Sequence, residues 1–121
     1  MLALVIDDSR AMRMVLRRML TGMGFEVMEA AGGPEALQLM TTGNHPDVVL
    51  VDWHMPEMEG IDVVAAMREG AVGYGGKIVM VTTETEMSQM QRALEVGADE
   101  YLMKPFTVEA VTEKLRLLDL A

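Results

Sequence analysis

The feature that most constrains this chain is a set of short, uninterrupted apolar runs, each ending at a charged or hydroxyl-bearing residue. Leu2–Ile6, Val48–Val51 and Ile78–Val81 carry no polar interruption. A strand with one face in water alternates apolar and polar residues. A strand covered by helices on both faces is apolar throughout, the pattern of a buried parallel sheet. Phe25–Ala30 and Glu100–Met103 are more polar, which predicts strands nearer a sheet edge.

Helical patterns separate these runs. Between Ser9 and Met23, apolar residues fall at Met12, Val15, Leu16, Met19, Leu20 and Met23, the stripe of an amphipathic helix. Arg10, Arg13, Arg17 and Arg18 lie off that stripe, and Gly22 and Gly24 supply the stop. A second helix opens at Gly33-Pro34, where proline suits a first helical position, and runs through Leu37 and Met40. Ile61–Arg68 and Glu86–Val96 are the third and fourth helices. The fifth follows Pro105, is capped by Thr107 and carries Val108, Val111, Leu115 and Leu118 on one face. Strands alternating with helices, with no repeat and no long linker, predict an α/β fold: a doubly wound parallel sheet in one domain, residues 1–121.

Composition removes several functions. A chain of 121 residues is one domain's worth, and without cysteine it has no disulfide scaffold, thiolate zinc site or thiol nucleophile. Nineteen acidic residues against ten basic ones give a net charge of −9, which repels nucleic acid and anionic membrane. No apolar run approaches the roughly 18 residues of a membrane span. These features predict a soluble, cytoplasmic protein. Fourteen methionines against one tryptophan, two tyrosines and two phenylalanines predict packing that leans on flexible thioethers.

The polar residues ending the runs are Asp7-Asp8, Asp52, Thr82-Thr83 and Lys104-Pro105. In open α/β sheets, ligands bind beyond the carboxyl ends of the strands, so three carboxylates, a hydroxyl and an ammonium are expected to meet at one edge. Clustered carboxylates raise one another's pKa unless a cation sits among them. Hard oxygen donors of this kind suit Mg²⁺. A carboxylate can also act as a nucleophile and form an aspartyl-phosphate. A metal, Lys104 and the Thr82 hydroxyl then supply the neutralisation that phosphoryl transfer needs.

Val5-Ile6-Asp7-Asp8-Ser9, Val51-Asp52-Trp53-His54-Met55-Pro56-Glu57-Met58-Glu59-Gly60, Val81-Thr82 and Tyr101-Leu102-Met103-Lys104-Pro105-Phe106 occur in that order. Together they resemble the receiver domains of bacterial response regulators, and most nearly the single-domain chemotaxis type, over residues 2 to 118. The resemblance implies a flavodoxin-like (βα)5 fold with strand order 2-1-3-4-5. It implies that Asp52 is the phosphoacceptor, charged by a histidine kinase with one Mg²⁺, and that the protein is not an enzyme beyond its own phosphorylation and dephosphorylation. By the same resemblance Asp8, Asp52 and the main-chain carbonyl of His54 are metal ligands, and Asp7 acts through metal-bound water. Lys104 pairs with Asp52 and then with the phosphoryl group, Pro105 is a cis proline, and Thr82 and Tyr101 move together as a switch.

Thr83 departs from the family's usual small residue and is expected to narrow access to the site. His54 and Glu84 resemble the variable pair that flanks the attacking water. The implied docking face is formed by the fourth helix, fifth strand and fifth helix, presenting Met87, Met90, Gln91, Glu95, Tyr101 and Lys114. Glu84 and Glu86 at the helix start are expected to make it acidic and suited to a partner with basic residues. The expected molecule is a monomer with no output domain, no nucleic-acid contact and no membrane contact.

Two alternatives remain open. One is a relay intermediate that passes phosphate to a histidine phosphotransfer protein. The other is a Mg²⁺-dependent aspartyl-phosphate hydrolase of the haloacid dehalogenase kind, which needs a second aspartate where His54 stands and a cap domain. Other candidates carry less. Gly73–Lys77 precedes a strand and lacks the P-loop pattern, so it is expected as a flexible loop. His45 has no ligand-spaced partner, and Arg13, Arg17 and Arg18 are expected as a solvated basic stripe.

Overall fold

The computed structural model describes residues 1–70 and 72–121. Five parallel strands, β1 (Leu2–Ile6), β2 (Glu26–Ala30), β3 (Val48–Asp52), β4 (Lys77–Thr82) and β5 (Glu100–Met103), form one sheet in the order β2-β1-β3-β4-β5. The helices are α1 (Arg10–Gly22), α2 (Gly33–Thr41), α3 (Gly60–Arg68), α4 (Met90–Val96) and α5 (Val108–Leu117). The two more polar strands, β2 and β5, are the edges, while every residue of β3 is buried.

Alternate side chains of the central strands feed two separate cores. Leu4, Ile6, Val49, Val51, Ile78 and Met80 pack with residues of α2, α3 and α4. Ala3, Val5, Leu50, Val79 and Val81 pack on the other face with Leu16 and Leu20 of α1 and Val111 and Leu115 of α5. Met40, Met55, Met67, Met80 and Met90 are buried, but Leu, Ile and Val make up most of the core, so the thioethers supply a minor share of it. Ser9 caps α1 by accepting from the Met12 amide at 3.2 Å, and Thr107 caps α5 by accepting from Ala110 at 3.1 Å.

Three expectations are corrected. The fourth helix is not continuous: Glu84–Gln89 is a 3-10 segment and the α-helix proper begins at Met90. The segment around Gly73–Lys77 is tied down. Arg68 donates to the carbonyls of Tyr74 (2.9 Å), Gly76 (2.7 Å) and Gly97 (2.8 Å), and the Tyr74 hydroxyl donates to Pro46 O at 2.7 Å. The basic stripe of α1 is partly neutralised, because Arg13 and Arg17 both pair with Glu29 of β2.

Candidate functional site

Strand register builds the site. Asp52 at the end of β3 lies level with Val81 of β4, and Thr82 at the end of β4 lies level with Met103 of β5. The residue after each of β1 and β5, Asp7 and Lys104, joins them at the same edge of the sheet. Backbone bonds lock these ends together: Trp53 N donates to Val81 O at 3.1 Å and Lys104 N to Thr82 O at 2.7 Å. The Lys104–Pro105 peptide is cis. The loop after β3 turns back so closely that a Cβ on Gly60 would sit 2.2 Å from the Asp52 carbonyl oxygen. Only glycine fits that approach.

Carboxylate oxygens of Asp7, Asp8 and Asp52 all lie within 4.8 Å of one another. Asp7 and Asp52 are buried and Asp8 is exposed. Asp7 Oδ1 accepts from Ser9 N at 2.8 Å, whereas its buried Oδ2 has no hydrogen-bond partner. Lys104 Nζ donates to Asp52 Oδ1 at 2.7 Å and stands 4.0 Å from Asp7 Oδ2. Burial pushes the Asp7 carboxyl up, against the Ser9 amide that lowers it, and the Asp52 charge adds to the rise. Burial likewise pushes Asp52 up, with the Lys104 ammonium opposing. One ammonium therefore does not balance the cluster. An orphaned carboxylate oxygen among hard, anionic donors fits a small divalent cation. A cavity of about 310 Å³ opens beside Asp8, bounded by Ala31, Gly32, Pro34, Glu35, Pro56 and Glu57.

A second polar network lies at the ends of β3 and β4, and sequence reasoning did not find it. Thr82 is fully buried, with its hydroxyl 3.2 Å from both Glu86 Oε1 and the Thr83 carbonyl oxygen. Glu86 Oε1 also accepts from Thr83 N at 2.9 Å. The other Glu86 oxygen lies 2.7 Å from His54 Nε2, and His54 Nδ1 lies 2.8 Å from Glu59 Oε2. Burial raises the Glu86 carboxyl, but hydrogen bonds from Thr83 and Thr82 together with His54 outweigh it, and the group sits below the usual glutamate value. The available signal was Thr83-x-x-Glu86, a capping box, and both of its reciprocal bonds are made.

His54 is thus joined to Glu86 and Glu59, not to Glu84, which is exposed. Thr83 spends its hydroxyl locally, on the capping box and on Thr85 at 2.8 Å.

The face around α4 also differs from expectation. Met90 is buried, Met87 is half-buried, and Leu94 is the exposed apolar residue. Glu86 points inward and adds no acidity to the surface. Tyr101 is half-buried on β5, with the Lys114 ammonium of α5 3.9 Å from its ring centroid. Lys114 also donates to Glu100 at 3.1 Å. Gln91 and Glu95 are exposed and interact at 3.4 Å. His45 is exposed in its turn.

Five parallel strands in this order, with acids gathered at their carboxyl ends, define a flavodoxin-like receiver domain. The chain belongs to the response regulator receiver domain family, whose model matches residues 3–116. Among individual proteins it is similar to the chemotaxis protein CheY homolog of Campylobacter jejuni, 40% identical over 93% of this chain and 87% of that one. It is also similar to chemotaxis protein CheY1 of Helicobacter pylori, 37% identical over 95% of this chain and 94% of that one. The solved chemotaxis response regulator CheY4 of Vibrio cholerae superposes with a TM-score of 0.87 at 35% identity, covering 97% of each chain. The chain is therefore a CheY-like receiver domain of the two-component signalling class. Among the described residues, no helix is long and apolar enough to cross a membrane.

Proposed function

We propose that this protein is a phosphorylation-driven switch in which Asp52 accepts a phosphoryl group from the phosphohistidine of a histidine kinase. The observation that carries the reading is the pairing of Asp52 with Lys104 at 2.7 Å inside a cluster of three carboxylates. In this reading an Asp52 oxygen attacks phosphorus, a new P–O bond forms and the P–N bond to the donor imidazole breaks. The imidazole leaves with the electron pair and takes up a proton. Lys104 holds Asp52 in place and then neutralises a phosphoryl oxygen. Asp8, Asp52 and the main-chain carbonyl of His54 would hold Mg²⁺ directly, and Asp7 would act through metal-bound water. The ion supplies charge neutralisation of the phosphoryl oxygens. The Thr82 hydroxyl then turns to a phosphoryl oxygen and Tyr101 follows, shifting a pre-existing equilibrium at the docking face.

That face is formed by α4, β5 and α5. With Glu86 buried and Glu100 paired to Lys114, the surface offers Leu94, Met87 and Tyr101 as its apolar content. This supports a protein partner that binds mainly by apolar contact, with basic residues secondary. The hydrolase alternative has no support at position 54, where His54 stands in place of the second aspartate it needs. The test is intact-mass analysis after incubation with Mg²⁺ and a small phosphodonor. One phosphoryl adduct on the native protein and none on Asp52→Asn is the expected result. The same adduct on Asp52→Asn sinks the assignment.

A further inference from the structure

The carboxylates of Glu59 and Glu86 have no part in the reaction just described, yet Glu86 is bonded to the Thr82 hydroxyl which that reaction needs. A threonine hydroxyl has one proton to donate. In this structure its possible acceptors are Glu86 Oε1 and the Thr83 carbonyl oxygen, each at 3.2 Å. A carboxylate is the stronger acceptor of the two. A proton given to Glu86 is not available to a phosphoryl oxygen on Asp52, so the two states of Thr82 exclude each other.

We propose that Glu86 is a latch on the switch, a positioning residue whose carboxylate holds the Thr82 hydroxyl in the resting state and must be displaced on phosphorylation. The inference rests on the receiver reading above. Three features fit Glu86 for the task. Its Oε1 is fixed by Thr83 N at 2.9 Å, so the acceptor is already in place. Its Oε2 lies 2.7 Å from His54 Nε2, so one imidazole N–H is enough to hold the carboxylate from the loop that follows Asp52. It lies in a 3-10 segment between β4 and α4, so releasing Thr82 from Glu86 acts on the segment that leads into the docking face. The brace joins the loop after the phosphoacceptor strand to the segment after the switch strand, which is where a restraint on their coupling has to sit.

Beryllofluoride with Mg²⁺, titrated by amide NMR, is the probe. Releasing one net hydrogen bond to a charged acceptor is expected to tighten apparent beryllofluoride affinity about tenfold in Glu86→Ala. Glu86→Gln keeps a neutral acceptor for the cap and is expected to give a smaller gain of about threefold, with the fold intact. In a Thr82→Val background, where no hydroxyl is held, neither substitution should change affinity. A purely structural role for Glu86 predicts weaker binding, or the same effect in both backgrounds. Either result, or unchanged affinity in Glu86→Gln and Glu86→Ala alike, overturns the latch. If the native protein does not respond to beryllofluoride and Mg²⁺ at all, the receiver reading fails, and the latch with it.

Discussion

Mg²⁺ added to the metal-free protein at neutral pH is expected to raise its melting temperature steeply, and the site geometry sets the scale. The buried carboxylates of Asp7 and Asp52 have oxygens within 4.8 Å of each other. At an effective dielectric constant near 20, two unit charges at that distance repel by about 3 kcal/mol. Lys104, closer to Asp52 than to Asp7, offsets only part of this, and Asp7 Oδ2 is left with no donor. A cation that binds only the folded state relieves the repulsion and stabilises by mass action, about 2.7 kcal/mol at a hundredfold excess over its dissociation constant. With an unfolding entropy of roughly 2.1 cal/mol/K per residue, a chain of 121 residues converts this to about 10 °C. Beyond the dissociation constant, each further tenfold in free Mg²⁺ adds about 1.4 kcal/mol, or about 5 °C.

The assay is a series of thermal melts after chelation, across free Mg²⁺ at constant ionic strength, which separates binding from screening. Asp8 is exposed, but its charge adds to the rise at both Asp7 and Asp52, so Asp8→Ala should raise the metal-free melting temperature slightly while flattening the Mg²⁺ response. Asp7→Asn should do something a generic destabilisation cannot: raise the metal-free melting temperature and blunt the Mg²⁺ increment together. A native protein whose melting point ignores Mg²⁺ refutes the reasoning. So does an Asp8→Ala variant that follows the native curve.

Three more outcomes follow from single contacts. Burial raises the folded-state pKa of Asp7 and Asp52, so their cost is fully present above those values and is relieved as pH falls through them. The metal-free stability advantage of Asp7→Asn should therefore shrink as pH falls, and an advantage that grows on acidification contradicts the sign. Arg68→Ala strips hydrogen bonds from the carbonyls of Tyr74, Gly76 and Gly97 and from Asp99, and should cost about 2–4 kcal/mol in urea unfolding. Gly60→Ala forces a Cβ against the Asp52 carbonyl and should lower stability by about 1–3 kcal/mol while removing phosphoryl uptake in the intact-mass assay.

What was legible in the sequence was whatever depends on pattern along one element. Continuous apolar runs marked β1, β3 and β4, and the more polar segments expected at Phe25–Ala30 and Glu100–Met103 did become the edges, the former starting one residue later at Glu26. That Asp7, Asp52, Thr82 and Lys104 meet at one edge was legible because a parallel sheet forces the ends of its strands to one side. Contacts between side chains from different elements were not legible. Nothing in the sequence ties His54 to Glu86, 32 positions later, or Arg13 and Arg17 to Glu29. Helical spacing left open which of Met87 and Met90 fills the core, and it is Met90 that is buried, while Leu94 faces solvent. The Thr83-x-x-Glu86 box marked the start of the helical segment at Glu84, while nothing in the sequence marked the change from 3-10 to α-helix at Met90.

Charge within the site gives a physical reason for the switch to depend on Thr82. Three carboxylates against one ammonium leave two net negative charges, enough to balance one divalent cation. Under the proposed reading, Asp52 then becomes an acyl phosphate, which carries about one more negative charge than the carboxylate it replaces. Lys104 is the single cation of the cluster and already bonded, so the added charge calls for a further hydrogen-bond donor. Thr82, fully buried and one residue beyond the position level with Asp52 on the neighbouring strand, carries a hydroxyl donor that in the resting state faces Glu86. A buried oxyanion is the better acceptor only if it outcompetes a braced carboxylate, and that competition sets the threshold for switching. The latch and the receiver chemistry thus make opposite demands on one proton. Conservative changes at Glu86 should therefore move the resting balance of the switch without altering which residue is phosphorylated.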